Sequence, residues 1–399
     1  MQDCSACASV PLLTTAPERA RTVVRDTLEK QGRVSEQARR IIVTGGAGFI
    51  GSALVRALVA DGAPVLCIDR LSYAGELSSL GDAAGRENFR FLKADIRDRS
   101  AMAAAFAEFR PDVVYHLAAE SHVDRSIDGP QAFVDTNIVG TFVLLETVRD
   151  YLEKRHAAER EAFRFIHVST DEVFGSASPE NRFSETSPYD PSSPYSASKA
   201  ASDHLALAWH RTFGVPTILT NASNNYGPYQ FPEKLIPLMI VNAIEGKPLP
   251  VYGQGVNVRD WMHVDDHVRA LRLIAETGRA GARYNVGSGN ERRNLDVVTG
   301  LCAVLDRRMP GGAPHADLME FVEDRPGHDL RYAIDAARLR EELGWRPQIG
   351  FEQGLESTVD WYLDNRWWWQ PLRGQRYAGE RQGLQVGRAA PGNVGQGGA

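Results

Sequence analysis

Two short stretches of this sequence carry side chains whose spacing could do chemistry. The segment "STDEVFG", Ser169 to Gly175, sets the carboxyl groups of Asp171 and Glu172 side by side, directly after the apolar run "FRFIHV". Successive side chains leaving a strand diverge, so adjacent acids can address different atoms of one ligand, one giving a proton and the other taking one. The segment "SSPYSASKAASDHL" places Tyr195 and Lys199 four residues apart. On a helix that spacing puts the ammonium and the phenol on one face. A neighbouring cation favours phenolate and lowers the tyrosine pKa from about 10, which suits a general base acting on a hydroxyl. The plainer alternatives are a surface Tyr-Lys pair and acids that cap a solvent-facing turn.

A third stretch supplies a place for a cofactor. In "IIVTGGAGFIGSALVRALVADGAPVLCIDR", Gly45, Gly48 and Gly51 form G-x-x-G-x-x-G between an apolar run and a helical one. Glycines there let the backbone approach a pyrophosphate at a helix N-terminus. The next apolar run, "PVLCID", ends at Asp69, where an acid can hydrogen-bond an adenosine ribose. Arg70 could favour a 2′-phosphate, but Asp69 would repel one, so NAD is expected rather than NADP.

These groups need a scaffold. From Arg40 to Thr220 the runs "IIVT", "PVLCID", "FRFLKAD", "DVVYHLAA", "RFIHVST" and "PTILTNAS" alternate with helical stretches, which predicts an α/β fold, a doubly wound parallel sheet. Residues 1–38 read as an extension outside the core with one helix near 22–30, and 39–220 as the dinucleotide-binding Rossmann domain, with returning segments near 258–287. Residues 221–370, with helices near 264–277, 294–309 and 351–366, read as a smaller, mainly substrate-binding domain, and 371–399 as a partly disordered tail. The chain has 399 residues, 43% of them hydrophobic, 24% charged, with a formal net charge of −6. That balance gives no global basic field for nucleic acid or an anionic membrane, so a phosphate-bearing ligand must be held locally. No run of roughly 20 apolar residues and no secretory signal are found, and a cytoplasmic protein is expected. Cys67 and Cys302 lie in apolar surroundings and read as small core residues, whereas Cys4 and Cys7 form a lone C-x-x-C without a second ligand pair.

Taken together, "TGGAGFIG", "HLAAESHVDRS", "STDEVFG", "YSASK", "NNYGPYQFPEKLIPLMI", "LPVYG", "RDWMHVDDH", "YNVGSGNERRNLDVV" and "RPGHDLRYAIDA" resemble the extended short-chain dehydrogenase/reductases and, among them, the dTDP-glucose 4,6-dehydratase family. The resemblance runs from about Arg40 to Trp369. It implies an NAD-dependent hydro-lyase acting on dTDP-glucose, with a catalytic set of Thr170, Asp171, Glu172, Tyr195 and Lys199. It further implies cofactor contacts at Gly45, Gly48, Phe49, Ile50, Gly51, Asp69, Arg70, Leu71, Ser72, Asp95, Ile96, Leu117, Ala118, Ala119, Ser121, Thr136, Tyr195, Lys199 and Asn225. The implied sugar-nucleotide contacts are Ser121, Thr170, Asn224, Lys234, Leu235, Pro250, Tyr252, Arg259, Asn294, Asp324, Arg325 and His328. Lys234 and Arg259 would meet a diphosphate, and the Tyr252 ring would stack on a pyrimidine. Within the pair, resemblance makes Glu172 the base and Asp171 the acid; the residues alone leave the order open. Phe174 stands where the family more often has tyrosine and Ala222 where cysteine is frequent, and neither change removes a reacting group.

Three features have plain readings. His263 and His267 could ligate a metal, but helix-start packing and capping suffice, and no metal is expected. "NRWWWQP" reads as an aromatic cluster closing the last helix onto the core. The apolar faces of 136–151 and 197–209 could pack within one chain, whereas the resembled family pairs such helices in a homodimer. Two other functions remain open: a UDP-sugar 4-epimerase or decarboxylase of the same superfamily, and a non-catalytic NAD-binding protein.

Overall fold

The computed structural model describes residues 38–377. The expected helix at 22–30, the Cys4/Cys7 pair and the tail beyond Tyr377 lie outside these residues.

Seven strands form the central sheet: β1 (Ile41–Thr44), β2 (Val65–Asp69), β3 (Phe89–Lys93), β4 (Val113–His116), β5 (Arg164–Thr170), β6 (Thr217–Ala222) and β10 (Arg283–Val286). Their spatial order is 3-2-1-4-5-6-10, and every neighbouring pair is parallel. Parallel strands joined by helices are covered on both faces, which is why the sequence shows unbroken apolar runs instead of alternation. The two faces separate residue by residue. Ile41, Val43, Val65 and Cys67 enter one core with the helices α1 (Phe49–Ala60) and α7 (Val264–Thr277). Ile42, Leu66, Ile68 and Val114 enter the opposite core with α2 (Arg99–Phe109) and α4 (Thr141–Glu153), on which α5 (Pro194–Phe213) packs. The period of two in side-chain direction does this sorting.

A further core gathers Tyr226, Trp261, Val298, Leu301 and Val359 from α6 (Leu235–Ile244), α8 (Asn294–Arg308), α9 (Phe351–Asp364) and the strands between them. Two small sheets flank it: β7 (Asn224–Tyr226), β9 (Val258–His263) and β11 (Glu291–Arg293) in one, β8 (Leu249–Tyr252) and β12 (Met319–Val322) in the other. The aromatic cluster at 367–369 divides as a helix requires. Trp368 and Trp369 are buried in α10 (Arg366–Gln375), while Trp367 is exposed. The Trp368 indole donates to the Ser79 hydroxyl at 3.1 Å, and Arg376 donates to the Gly75 carbonyl at 3.0 Å. Residues 366–377 thus hold the loop that follows β2. Among the described residues no helix is long and apolar enough to cross a membrane. Cys67 and Cys302 are buried and free.

The order 3-2-1-4-5-6 reverses direction between β1 and β4, and a doubly wound sheet opens its crevice outside the carboxyl ends of the strands at that point. α3 (Val123–Asp128), which follows β4, stands at this same edge.

Candidate active site

A cavity of about 300 Å³ occupies this crevice, lined by the turn after β1, the ends of β2, β4 and β5, and the start of α5. The β1–α1 turn comes first. Gly45 has φ +70°, and a Cβ on it would stand 2.6 Å from the Ala118 nitrogen. A Cβ on Gly51 would stand 2.2 Å from the Gly45 carbonyl oxygen, so only glycine lets α1 start directly on the turn. Gly48 caps α1 with no side-chain hydrogen bond, and Gly48, Phe49, Ile50 and Gly51 all line the cavity. A helix N-terminus with uncapped N–H groups is an anion site, and the turn can cradle a pyrophosphate.

At the end of β2 the Asp69 carboxylate accepts from the backbone N–H of Ala47 at 3.0 Å and of Leu71 at 2.7 Å. Burial raises its pKa while those two bonds oppose the rise. Arg70 is held by Asp95 at 3.3 Å and by a close contact with Glu120. Ser72, Asp95, Ile96, Leu117, Ala118, Ala119, Ser121, Thr136 and Asn225 line the same cavity. Leu71 does not; its side chain packs against the core beside α1.

The reactive groups converge at the far end of β5. Lys199 is buried and donates to the Val168 carbonyl at 3.0 Å. Tyr195 follows a capping box, Ser193 with Ser196, and Pro194 at the first helical position, which together fix where α5 begins. Its ring is buried, 6.3 Å edge-on to Phe133. The sequence predicts a lowered tyrosine pKa, and here the structure differs. Burial first, then the Glu172 carboxylate, pushes the Tyr195 phenol up, with the Thr170 hydroxyl opposing, while the lysine is engaged by a carbonyl.

The two acids occupy different surroundings. Asp171 is 2% exposed, accepts from the Thr170 hydroxyl at 3.4 Å through Oδ1, and has no protein partner at Oδ2. Burial, then Glu172 and Asp260, push its carboxyl well above the ordinary range. These surroundings favour its protonated form, the form a general acid needs. Glu172 is half-buried; burial raises it too, but the cations Arg325, Arg259 and Lys234 pull it back. Adjacent carboxyls with opposed surroundings are what a general acid and a general base require.

Asn224 and Lys234 also line the cavity, and Lys234 donates to the Ser121 carbonyl at 2.8 Å. Leu235, Pro250, Tyr252, Arg259, Asn294, Asp324, Arg325 and His328 do not reach this wall. Five of them form a cluster of their own beside it. Tyr252 donates to Asp124 at 3.0 Å and Arg325 to the same carboxylate at 3.3 Å; His328 meets Asp324 at 2.6 Å and lies edge-on to the Tyr252 ring at 6.1 Å. Arg259 is buried, donates to the Asp329 carbonyl at 2.9 Å, and lies 4.1 Å over the Tyr332 ring. Leu235 and Asn294 open helices α6 and α8, and Pro250 lies in β8.

Three further residues, Glu120, Asp124 and Glu233, take part without having been singled out by the sequence. Glu120 and Glu233 line the cavity; Glu233 accepts from Tyr73 at 2.9 Å, and Asp124 holds Tyr252. His267 also lines it, with Nδ1 3.0 Å from Asn225 Oδ1 and Nε2 without a protein partner. Burial drops its pKa to about 3, so the ring is neutral. His263 behaves as predicted, capping α7 by accepting from the Asp265 N–H at 3.3 Å.

The chain is similar to proteins already characterised. The family model described as GDP-mannose 4,6 dehydratase matches residues 42–358. A probable dTDP-glucose 4,6-dehydratase of Sinorhizobium fredii is 61% identical over 345 residues, 86% of this chain and 99% of the relative. The solved dTDP-glucose 4,6-dehydratase of Bacillus anthracis in complex with NAD superposes with a TM-score of 0.75 at 43% identity, covering 84% of this chain and 100% of that one. DesIV, the dTDP-glucose 4,6-dehydratase of Streptomyces venezuelae with NAD bound, gives 0.76 at 44% identity, with 84% and 99% covered. The family match over residues 42–358 and the 61% identity across 99% of that relative carry the assignment: this chain belongs to the GDP-mannose 4,6 dehydratase family and, within it, to the dTDP-glucose 4,6-dehydratases.

Proposed function

We propose that the chain catalyses the NAD-dependent dehydration of dTDP-glucose to dTDP-4-keto-6-deoxy-glucose, a hydro-lyase reaction. One observation carries the reading: a buried, proton-holding Asp171 stands next to a cation-flanked Glu172 in the cavity that Tyr195 and Lys199 enter.

The glycine turn fits a dinucleotide, since Gly45 and Gly51 leave no room for a Cβ and α1 begins uncapped. Gly45, Gly48 and Gly51 would hold the pyrophosphate, and Asp69, both of whose oxygens keep acceptor capacity, would hold a ribose hydroxyl. NAD held there would supply the hydride chemistry, acceptance from the sugar C4 and return to C6. Tyr195 enters this step as phenolate and takes the proton of the C4 hydroxyl; that proton leaves to solvent after turnover, when Asp171 takes one up. The resulting ketone acidifies C5–H, Glu172 takes that proton, and Asp171 gives its own to the departing C6 oxygen, so that water leaves and a C5–C6 double bond forms. When C6 is reduced, Glu172 returns its proton to C5. Thr170 orients the pair by bonding both Asp171 and the Glu172 N–H. Lys234, Arg259 and Arg325 supply the local positive charge for the diphosphate, and Tyr252 faces the base.

In this reading residues 39–220 with 258–287 form the dinucleotide half and 221–370 mainly the sugar-nucleotide half. Two copies pair through α4 and α5, a homodimer supported by Val139, Phe142 and Phe213, which are 40–46% exposed at that surface. A cytoplasmic setting is supported by the two buried free thiols.

The test is turnover of dTDP-glucose and UDP-glucose in parallel, with the product read by mass spectrometry. Loss of one water from dTDP-glucose is expected; an unchanged mass would indicate an epimerase, and absence of turnover a binding protein.

A further inference from the structure

We infer that Asp203 is a positioning residue for the reaction, its buried carboxylate joining the helix that carries Tyr195 and Lys199 to the strand end that carries Asp171 and Glu172. The inference deepens the dehydratase reading and rests on it.

Asp203 lies on α5 one helical turn beyond Lys199, is fully buried, and does not touch the cavity. Its carboxylate meets three groups from three other places in the fold. His167 of β5 lies 3.1 Å from Oδ1 through Nε2. The Tyr189 hydroxyl, from the segment before α5, donates to Oδ2 at 2.8 Å, and the Asn221 amide of β6 donates there at 3.1 Å. The same amide nitrogen donates to the Thr170 carbonyl at 3.0 Å. An amide NH₂ carries two hydrogens, so both bonds form together. The path from Asp203 through one side chain therefore ends on the peptide that delivers Asp171.

An isolated buried carboxylate is costly, and it either shifts toward its protonated form, as Asp171 does, or is given enough donors to remain charged. Here the His167 and Asn221 bonds are joined by attraction to Lys199. In return, Asp203 is the anion that favours the charged form of Lys199, whose ammonium is buried with the Val168 carbonyl as its acceptor. The titratable groups around Lys199 are Tyr195 and Asp203 on its own helix, His116 of β4 and His167 of β5, while Glu172 and Asp171 act on the Tyr195 phenol. Burial keeps both histidines neutral, so Asp203 is the charge that sets the lysine.

Asp203→Asn keeps the shape and removes the charge. The expected result in the full chain is a fall in kcat of about tenfold to 10²-fold, on the scale of a small misplacement of reacting groups, with KM little changed. The alkaline limb of the pH–kcat profile moves down by about one pH unit. A second readout needs no turnover: ¹⁵N NMR of lysine-labelled protein, with Lys199→Arg to assign the resonance, should give the same downward shift of the Lys199 titration. Asn221→Ala, which keeps the charge but cuts the tie to Thr170, should slow C5 hydrogen exchange without moving the alkaline limb. Wild-type kcat and an unshifted lysine titration in Asp203→Asn would overturn the inference, as would a fall in melting temperature and kcat with the pH limb in place. Should Asp203→Asn not fold, Asn221→Ala decides: slowed C5 hydrogen exchange with the alkaline limb in place supports the inference, and exchange at the wild-type rate overturns it. A shifted lysine titration in a protein inactive on dTDP-glucose would leave the role of Asp203 standing and remove the dehydratase reading.

Discussion

The Lys199 ammonium and the Val168 carbonyl are 3.0 Å apart, so the cation of the Tyr-Lys pair fastens α5 to β5 three residues before Asp171. Bonded this way, it does not offset the burial and the Glu172 carboxylate that push the Tyr195 phenol up.

Removal of that phenolic oxygen tests its task. Tyr195→Phe should lose about 10²- to 10⁴-fold in turnover, the range for a lost general base. Binding of dTDP, followed by calorimetry, should persist because the ring is packed against Phe133 on its hydrocarbon part. Near-normal turnover would assign the tyrosine to packing alone.

Glu172→Gln separates elimination from oxidation. The variant cannot take the C5 proton, so incorporation of solvent deuterium at C5, read by NMR of recovered sugar nucleotide, should fall by at least about 10²-fold. Exchange at the wild-type rate would move the base role to another group.

Asp171→Asn makes a statement about stability. The folded protein holds the Asp171 proton more tightly than the unfolded chain does, so the native acid loses stability as pH rises from about 4, the ordinary carboxylate value, toward its raised value. The amide escapes this loss. Its melting temperature should therefore exceed that of the native protein at pH 8, with the gap closing as pH falls toward 4, while turnover drops. A gap that widened on acidification would reverse the assigned direction.

Gly51→Ala places a methyl 2.2 Å from the Gly45 oxygen, which backbone must yield to accommodate. A cost of about 1–3 kcal/mol is expected, together with a smaller rise in melting temperature on adding NAD than the native protein gives. An equal rise would show that the turn tolerates a side chain.

Much of this architecture is legible in the sequence because burial on both faces of a parallel strand writes an unbroken apolar run, as in "VLCID", and because Gly51 and the Tyr195–Lys199 spacing answer to local geometry alone. Other parts are not local. Glu120 finds Arg70, Asp124 finds Tyr252, and Glu233 finds Tyr73, 160 positions apart, through chain crossings that no spacing rule encodes. The tyrosine pKa fails for the same reason: helical spacing reports the neighbour at i+4 and is silent on Val168 of β5 and on Glu172 in the turn that follows it. Tyr252, Asp324, Arg325 and His328, named by resemblance, hold one another beside the cavity and do not line it.

The bond from Trp368 to Ser79 spans 289 positions, and Arg376 reaches Gly75 across 301. Ser72 and Gly75 belong to the cavity wall. During synthesis, then, the glycine turn and its strands leave the ribosome long before the residues that hold their neighbouring loop exist. The nascent chain can assemble most of the sheet early, but the cavity acquires its finished wall only after α10 has emerged and docked.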